Sequence, residues 1–408
     1  MENGFGLKYN EHTFVYGIVK IALVVFFVSD GLNKLLYIAT ENDSPGFSPS
    51  LFSRMIFELV ALTFIFHRPN RKRLLFIVVL SALVICQVVG MALYLNNYDR
   101  SFRYFYHISV FNKYLFAFIV YYFIYKLRER ADLITKLQLV CESIFVINSL
   151  FVIAGAILNI KLFRSYPFMD YRYGYDGIIS AVNESSLFYF IALSYVYYKK
   201  FILNRRMGLS VIILVGALFL GTKTIYLFLV SLTLFHFLRV STAKARFYAL
   251  FGIACTTAFI SVLYENGFLD VLVDYFTDVV NKRGFVTALF SGRDLYLQTT
   301  FFENLKYWSS LNYLFGGQDQ MNFLIEMDVF DAFSFFGVVG AFLYFVLFFN
   351  SVFSVNLKKK FNLFFIGIYF ILAALGGHFF ASSLNALYLV VFCLFVYNND
   401  QQVAEGLA

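Results

Sequence analysis

Apolar runs of helical length recur from one end of the chain to the other, separated by polar joints. A helix needs about 20 mostly apolar residues to cross the hydrocarbon core of a bilayer, and residues 74–95, 134–158 and 332–353 each meet that requirement. The pattern predicts an all-α polytopic membrane protein with about twelve transmembrane helices. Their expected positions are 14–36, 51–66, 74–95, 107–125, 134–158, 185–201, 208–220, 225–238, 247–264, 332–353, 363–375 and 384–397.

Every second joint carries a cluster of cations: HRPNRKR (67–73), KLRER (126–130), KKFILNRR (199–206), the segment 239–246 and KKK (358–360). The intervening joints, such as TENDSPGF (40–47), are acidic or nearly neutral. Basic loops stay on the cytoplasmic side of a membrane, so both termini are expected there. The first apolar run is followed by Asn33 and Lys34 without a clear small-residue cleavage site, and is expected to remain as a span rather than be removed as a signal.

Two external joints break this rhythm. The first, 159–184, reads NIKLFRSYPFMDYRYGYDGIISAVNE; the second runs from 265 to 331. Long ordered loops usually carry function. The chain therefore divides into residues 1–264 with nine helices and the 159–184 loop, a large external cap at 265–331, and residues 332–408 with three more helices and a cytoplasmic tail. Within the cap, 269–280 and 293–308 are expected as amphipathic helices, because Leu295, Leu297, Phe301, Phe302, Leu305 and Trp308 fall near one face at helical spacing. Ser291 with Asp294 has the spacing of a capping box.

The net charge of +8 sits mostly in the cytoplasmic joints, where it sets topology and meets anionic lipid, so it is no sign of a nucleic-acid partner. Cys86, Cys141, Cys255 and Cys393 are scattered through the spans and form neither a disulfide frame nor a metal motif. No phosphate-binding loop, zinc motif, glycine-rich nucleotide loop or internal repeat is present.

Ionisable residues in or beside membrane spans are costly and mark functional candidates. Arg54 and Glu58, four apart on one helix, have the spacing to neutralise each other; Lys20 and Asp30 allow either a structural or a functional reading. Arg172 in YRYGYDG, Lys223 in GTKT and Arg293 in SGRDL fall on the same external side. Three such cations suit a pyrophosphate, with arginine supplying a rigid donor fork and lysine a compact charge. The alternative is that Lys223 snorkels and the arginines meet lipid headgroups. Glu326, Asp328 and Asp331 in EMDVFD offer either a general base or favourable charges at a helix N-terminus. His378 in LGGHFFASS is either a packing residue or, with His107, a group titrating beside the external mouth, and Gly337 to Gly340 in FGVVGAF reads as helix packing.

A long cap, SGR opening a cap helix, EMDVFD leading into FGVVGAFLYF and a final GGHFFASS element follow one another in this order. Together with RYGYDGIISAVNESSLFYFIA and LFLGTKTIYLFL upstream, this order resembles the Wzy O-antigen polymerases of the O-antigen polymerase and ligase superfamily. The resemblance covers most of the chain from Arg172 to Leu389; the first 159 residues match in hydropathy alone.

It implies a GT-C-type membrane glycosyltransferase of the bacterial inner membrane, metal-independent and without a cofactor. Such an enzyme adds an undecaprenyl-pyrophosphate-linked glycan to an undecaprenyl-pyrophosphate-linked repeat unit at the periplasmic face, in lipopolysaccharide O-antigen biosynthesis. A chain-length regulator and a flippase are the implied partners besides the lipid bilayer. Arg172, Lys223 and Arg293 would hold the pyrophosphate groups and stabilise the leaving diphosphate. His378, Glu326, Asp328 and Asp331 would sit nearest the acceptor. Related ligases carry a histidine where this chain has the acidic segment, a departure that favours polymerase over an O-antigen ligase acting on lipid A core. A lipid-linked oligosaccharide flippase or transporter remains the alternative of a different class.

Overall fold

The computed structural model describes residues 11–40, 48–67, 70–97, 104–169, 172–239, 270–306, 308–317 and 324–404, with scattered positions between 247 and 267. They form an all-helical protein. Its first half runs α1 (Glu11–Ala39), α2 (Pro49–His67), α3 (Arg71–Asn97), α4 (Tyr104–Ile124), α5 (Ala131–Leu158), α6 (Val182–Tyr197), α7 (Ser210–Phe219) and α8 (Lys223–Arg239). The cap contributes α9 (Asp270–Arg283), α10 (Phe285–Phe290), a segment helical from Arg293 to Leu305, and α11 (Ser310–Phe315). The chain then closes with α12 (Asp328–Asn350), α13 (Lys360–Leu375) and α14 (Ser383–Ala404).

Among the described residues, six helices are long and apolar enough to cross a membrane: Glu11–Ala39, Pro49–His67, Arg71–Leu93, Tyr106–Glu129, Ala131–Leu158 and Asp328–Asn350. This is a membrane protein by the length and composition of those helices. Several of the expected spans stand differently. Helix α7 has 10 residues, about 15 Å at 1.5 Å per residue, or half a bilayer core. The expected helix at 247–264 lies largely outside the described residues. The tenth run begins at Asp328 rather than 332, which brings Asp328 and Asp331 into its first turn.

Helix α14 is the hub. Leu384 and residues 386–396 are all buried, because α1, α4, α5 and α6 pack around it. A helix apolar on every face belongs in such a position. Aromatic rings fill the space between α4, α12, α13 and the segment before α14: Tyr344 lies 5.2 Å from Phe118 and Phe348 lies 5.1 Å from Phe380, centroid to centroid. Edge-to-face pairs of this kind add about 0.5–1.5 kcal/mol each beyond their buried area.

Helix α12 is broken at Gly337, whose φ of 68° is left-handed. A side chain there would collide with the Gly316 amide and the Leu314 carbonyl, so only glycine lets the end of α11 pack against the break. The kink frees the Phe335 carbonyl, which accepts from Gln87 Nε2 at 2.8 Å. Gln87 Oε1 in turn contacts His107 Nε2 at 2.8 Å, and His107 is buried against the Phe335 ring. The expectation that His107 titrates at the mouth is corrected: its ring belongs to this buried brace of the kink.

The two ends of the bundle differ chemically. At one end, Glu11 pairs with Arg73 at 3.4 Å and with Lys126 at 2.9 Å, Arg128 lies over the Tyr397 ring, and Asp400 accepts from Tyr198 and Asn362. These contacts gather the described parts of the joints at 67–73, 126–130, 199–206 and 358–360. Arg172, Lys223, Arg293, Glu326, Asp328, Asp331 and His378 lie at the opposite end.

Candidate functional site

The cations converge because two loops cross at glycine. Tyr175 donates its amide to the Phe219 carbonyl at 2.9 Å, which lays the loop before α6 along the turn before α8. At the crossing, a Cβ on Gly174 would sit 2.5 Å from the Leu220 carbonyl oxygen, and one on Gly221 would sit 2.6 Å from that of Tyr173. Both glycines have positive φ, 145° and 73°. Arg172, two residues before one glycine, and Lys223, two after the other, are thereby brought to one place.

Arg293 joins them from the cap. Lys223 Nζ donates to the Ala288 carbonyl and, at 3.0 Å, to Ser291 Oγ, in the turn that precedes Arg293. Both arginines are near enough to repel the Lys223 ammonium. Arg172 lies over the Tyr166 ring, 4.8 Å from its centroid. Burial raises the Tyr166 phenol, and the positive charges of Arg172 and Arg293 oppose that rise. Three cations in mutual repulsion form an arrangement with a strong demand for an anion. Arg293 Nη2 bonds Glu326 Oε2 at 2.9 Å, while its buried Nε has no hydrogen-bond partner among the described residues.

The three acids behave differently from one another. Asp331 is buried and folds back on its own N-terminal turn, accepting from the amides of Ile325 and Met327 at 3.0 Å each. Asp328, also buried, reaches across to the segment between α13 and α14, where it accepts the His378 amide at 2.7 Å, Phe379 at 2.5 Å and Phe380 at 2.8 Å. Glu326 is left as the accessible carboxylate of the group, paired with Arg293.

Asp328 therefore fastens His378 in place. Among the described residues five non-glycines have positive φ: Asn159, Asn204, Ser291, Glu326 and His378. Asparagine tolerates this region. The other three all belong to this site, and such outliers persist only where the surroundings enforce them. Burial holds the His378 imidazole below its usual value, with Asp328 and Glu326 pulling it up and Lys113 and Arg293 pushing it down. It is thus neutral at neutral pH, the form that accepts a proton. Among the described residues, no group of three or more His, Cys, Asp or Glu is placed to hold a metal ion.

A second set of charges beneath the site is not apparent from spacing. Lys34 forms a buried ion pair with Asp176 and donates to the Gly177 carbonyl at 2.8 Å. Arg54 pairs with Asp30 at 3.0 Å, not with Glu58, which instead accepts from Asn112 at 2.7 Å. Asp30 also accepts the Ser180 amide at 2.9 Å, so these pairs moor the 172–184 loop to α1 and α2. The partners lie 142 and 24 residues apart, which is why local helical spacing misleads. Lys20 is exposed.

Two further expectations in the cap are corrected. Ser291 and Asp294 form no capping box: Ser291 is left-handed at the end of α10, and Asp294 accepts from Thr287 Oγ1 at 2.7 Å. A capping box stands at Ser309 and Asn312. Residues 297–302 form a π-helical stretch, which shifts the side-chain register. Leu297, Phe301 and Leu305 pack on Ile325, Met327, Phe330 and Phe333, whereas Leu295 and Phe302 are exposed.

No family model, curated protein or solved structure matches this chain.

Proposed function

We propose that this protein is an inner-membrane O-antigen polymerase, which transfers an undecaprenyl-pyrophosphate-linked glycan onto an undecaprenyl-pyrophosphate-linked repeat unit at the periplasmic face. The observation that carries the reading is the convergence of Arg172, Lys223 and Arg293 beside Glu326 and His378, at the end of the bundle away from the basic joints. In this reading the basic joints and both termini are cytoplasmic, twelve helices cross the membrane, and the cation cluster faces the periplasm.

The contacts support a division of labour. Arg172, Lys223 and the free Nε of Arg293 hold the donor's diphosphate and stabilise its charge as the sugar leaves. Neutral His378 takes the proton of the acceptor hydroxyl. The new glycosidic bond forms as the bond to the diphosphate breaks, and the diphosphate leaves on its lipid. Asp328 and Asp331 position His378 and Glu326, their carboxylates being occupied by backbone amides. This role resembles that of the Wzy family, on the motifs described above.

The lipopolysaccharide ladder of a strain lacking this protein tests the proposal. A single repeat unit on lipid A core is the expected pattern. A core with no repeat would identify a ligase or a flippase instead.

A further inference from the structure

A cleft of about 240 Å³ opens between α2 and α4, at the same end of the bundle as the cation cluster. Polar groups line it: Arg54 and Glu58 from α2, Asn112 and Lys113 from α4, and Ser383 at the start of α14. Five residues before Ser383 stands His378, and Lys113 is close enough to act electrostatically on its ring. Lys113 itself makes no hydrogen bond or ion pair among the described residues. A charge on a membrane helix is a functional candidate by default.

Size and charge decide what the cleft accepts. It falls below the roughly 300–1,000 Å³ of a pocket for a drug-sized ligand, which suits one ring rather than an oligosaccharide. Its charges nearly balance: Arg54 is answered by Asp30, and Lys113 and Glu58 in the lining are of opposite sign. A diphosphate gains little there, whereas the mixture of hydroxyl, amide, carboxylate and guanidinium groups matches the alternating donors and acceptors of a sugar ring. The floor is the buried ring of Phe116, and Leu51 and Met55 on the rim are 51% and 49% exposed. Those rim residues present an apolar surface to an isoprenoid tail.

We propose that this cleft is the subsite for the acceptor sugar of a lipid-linked repeat, presenting its hydroxyl toward His378. The inference rests on the polymerase reading and adds the place and recognition chemistry of the second substrate. Its recognition residues are Glu58, Asn112 and Lys113, while Arg54 serves the cleft from within its ion pair.

The test compares two probes on the reconstituted protein: the lipid-linked repeat unit extracted from cells lacking this protein, and bare undecaprenyl pyrophosphate. The repeat unit is expected to bind about tenfold more tightly, the scale of one or two additional hydrogen bonds. That advantage is expected to vanish in both Asn112→Ala and Glu58→Gln while the affinity for the bare lipid is unchanged. In Arg293→Ala, affinity for both probes falls and the advantage survives. With turnover as the readout, the two cleft variants raise KM for the acceptor and leave kcat within about twofold. Equal affinity of the wild type for the two probes, or an advantage intact in both cleft variants, would overturn the subsite even if polymer forms. An advantage lost only in the cleft variants, in a wild type that makes no polymer, supports the subsite and removes the polymerase reading alone.

Discussion

His378 owes its left-handed backbone to Asp328, which ties down three consecutive amides. Replacing Asp328 by Ala strands those buried donors at about 1–3 kcal/mol each, so the variant is expected to lose thermal stability in detergent as well as activity. Asp328→Asn should fall between it and the wild type. Because burial depresses the His378 pKa, His378 in its proposed role as base stays neutral below the ordinary imidazole range. Turnover should hold through neutral pH and fall on the acid side as His378 protonates. The accompanying stability term has the same sign: an imidazole depressed in the folded state contributes stability above its unfolded pKa and loses it as pH falls through the folded value. Lys113→Ala removes a charge that pushes this pKa down, and should move the acid limb upward. An unmoved limb would show that another group carries the proton.

At the scale of elements, the site depends on chain crossings that spacing does not reveal. Gly221→Ala places a methyl group against the Tyr173 carbonyl at a positive φ. It should pull Lys223 away from Arg172 and remove most activity without removing a charge. The Lys34–Asp176 pair moors the same loop from below. Lys34→Met leaves Asp176 buried and unanswered, an expected loss of roughly 3–5 kcal/mol, much of it restored by adding Asp176→Leu; no recovery in the double variant's melting curve would contradict the mooring role. The helical periodicity was legible, since α2, α3 and α5 lie within a few residues of their expected limits. So were the three cations and the segments carrying Glu326 and His378, because charge beside an apolar run is conspicuous. The partners were not. Arg54 reaches Asp30 rather than its i+4 neighbour Glu58, and Asp328 reaches 50 residues ahead; both contacts arise only when the bundle closes. The π-helical stretch from 297 to 302 likewise shifts the register against a pattern read at 3.6 residues per turn, and Phe302 at its end is exposed.

The whole molecule is organised as a polarised bundle, with α14 buried at its centre, basic joints at one end and the cation cluster with His378 at the other. The proposed sidedness rests on the positive charges: in a background lacking native cysteines, Lys306→Cys should react with a membrane-impermeant thiol reagent in cells with a permeabilised outer membrane. Lys359→Cys should react only after the inner membrane is opened. The reverse pattern would invert the orientation. The proposed transfer from one lipid carrier to another requires both halves of the site to act together on substrates held at the membrane surface. The most direct measurement is therefore turnover of synthetic lipid-linked repeat units by purified protein in lipid nanodiscs, with wild type, Arg172→Ala and Arg293→Ala compared at equal folded concentration. The account predicts that the wild type forms polymer and releases lipid diphosphate, and that each alanine variant is slowed by roughly 10²–10³-fold, the scale for removing a donor aimed at developing charge. Full turnover by both alanine variants would contradict it.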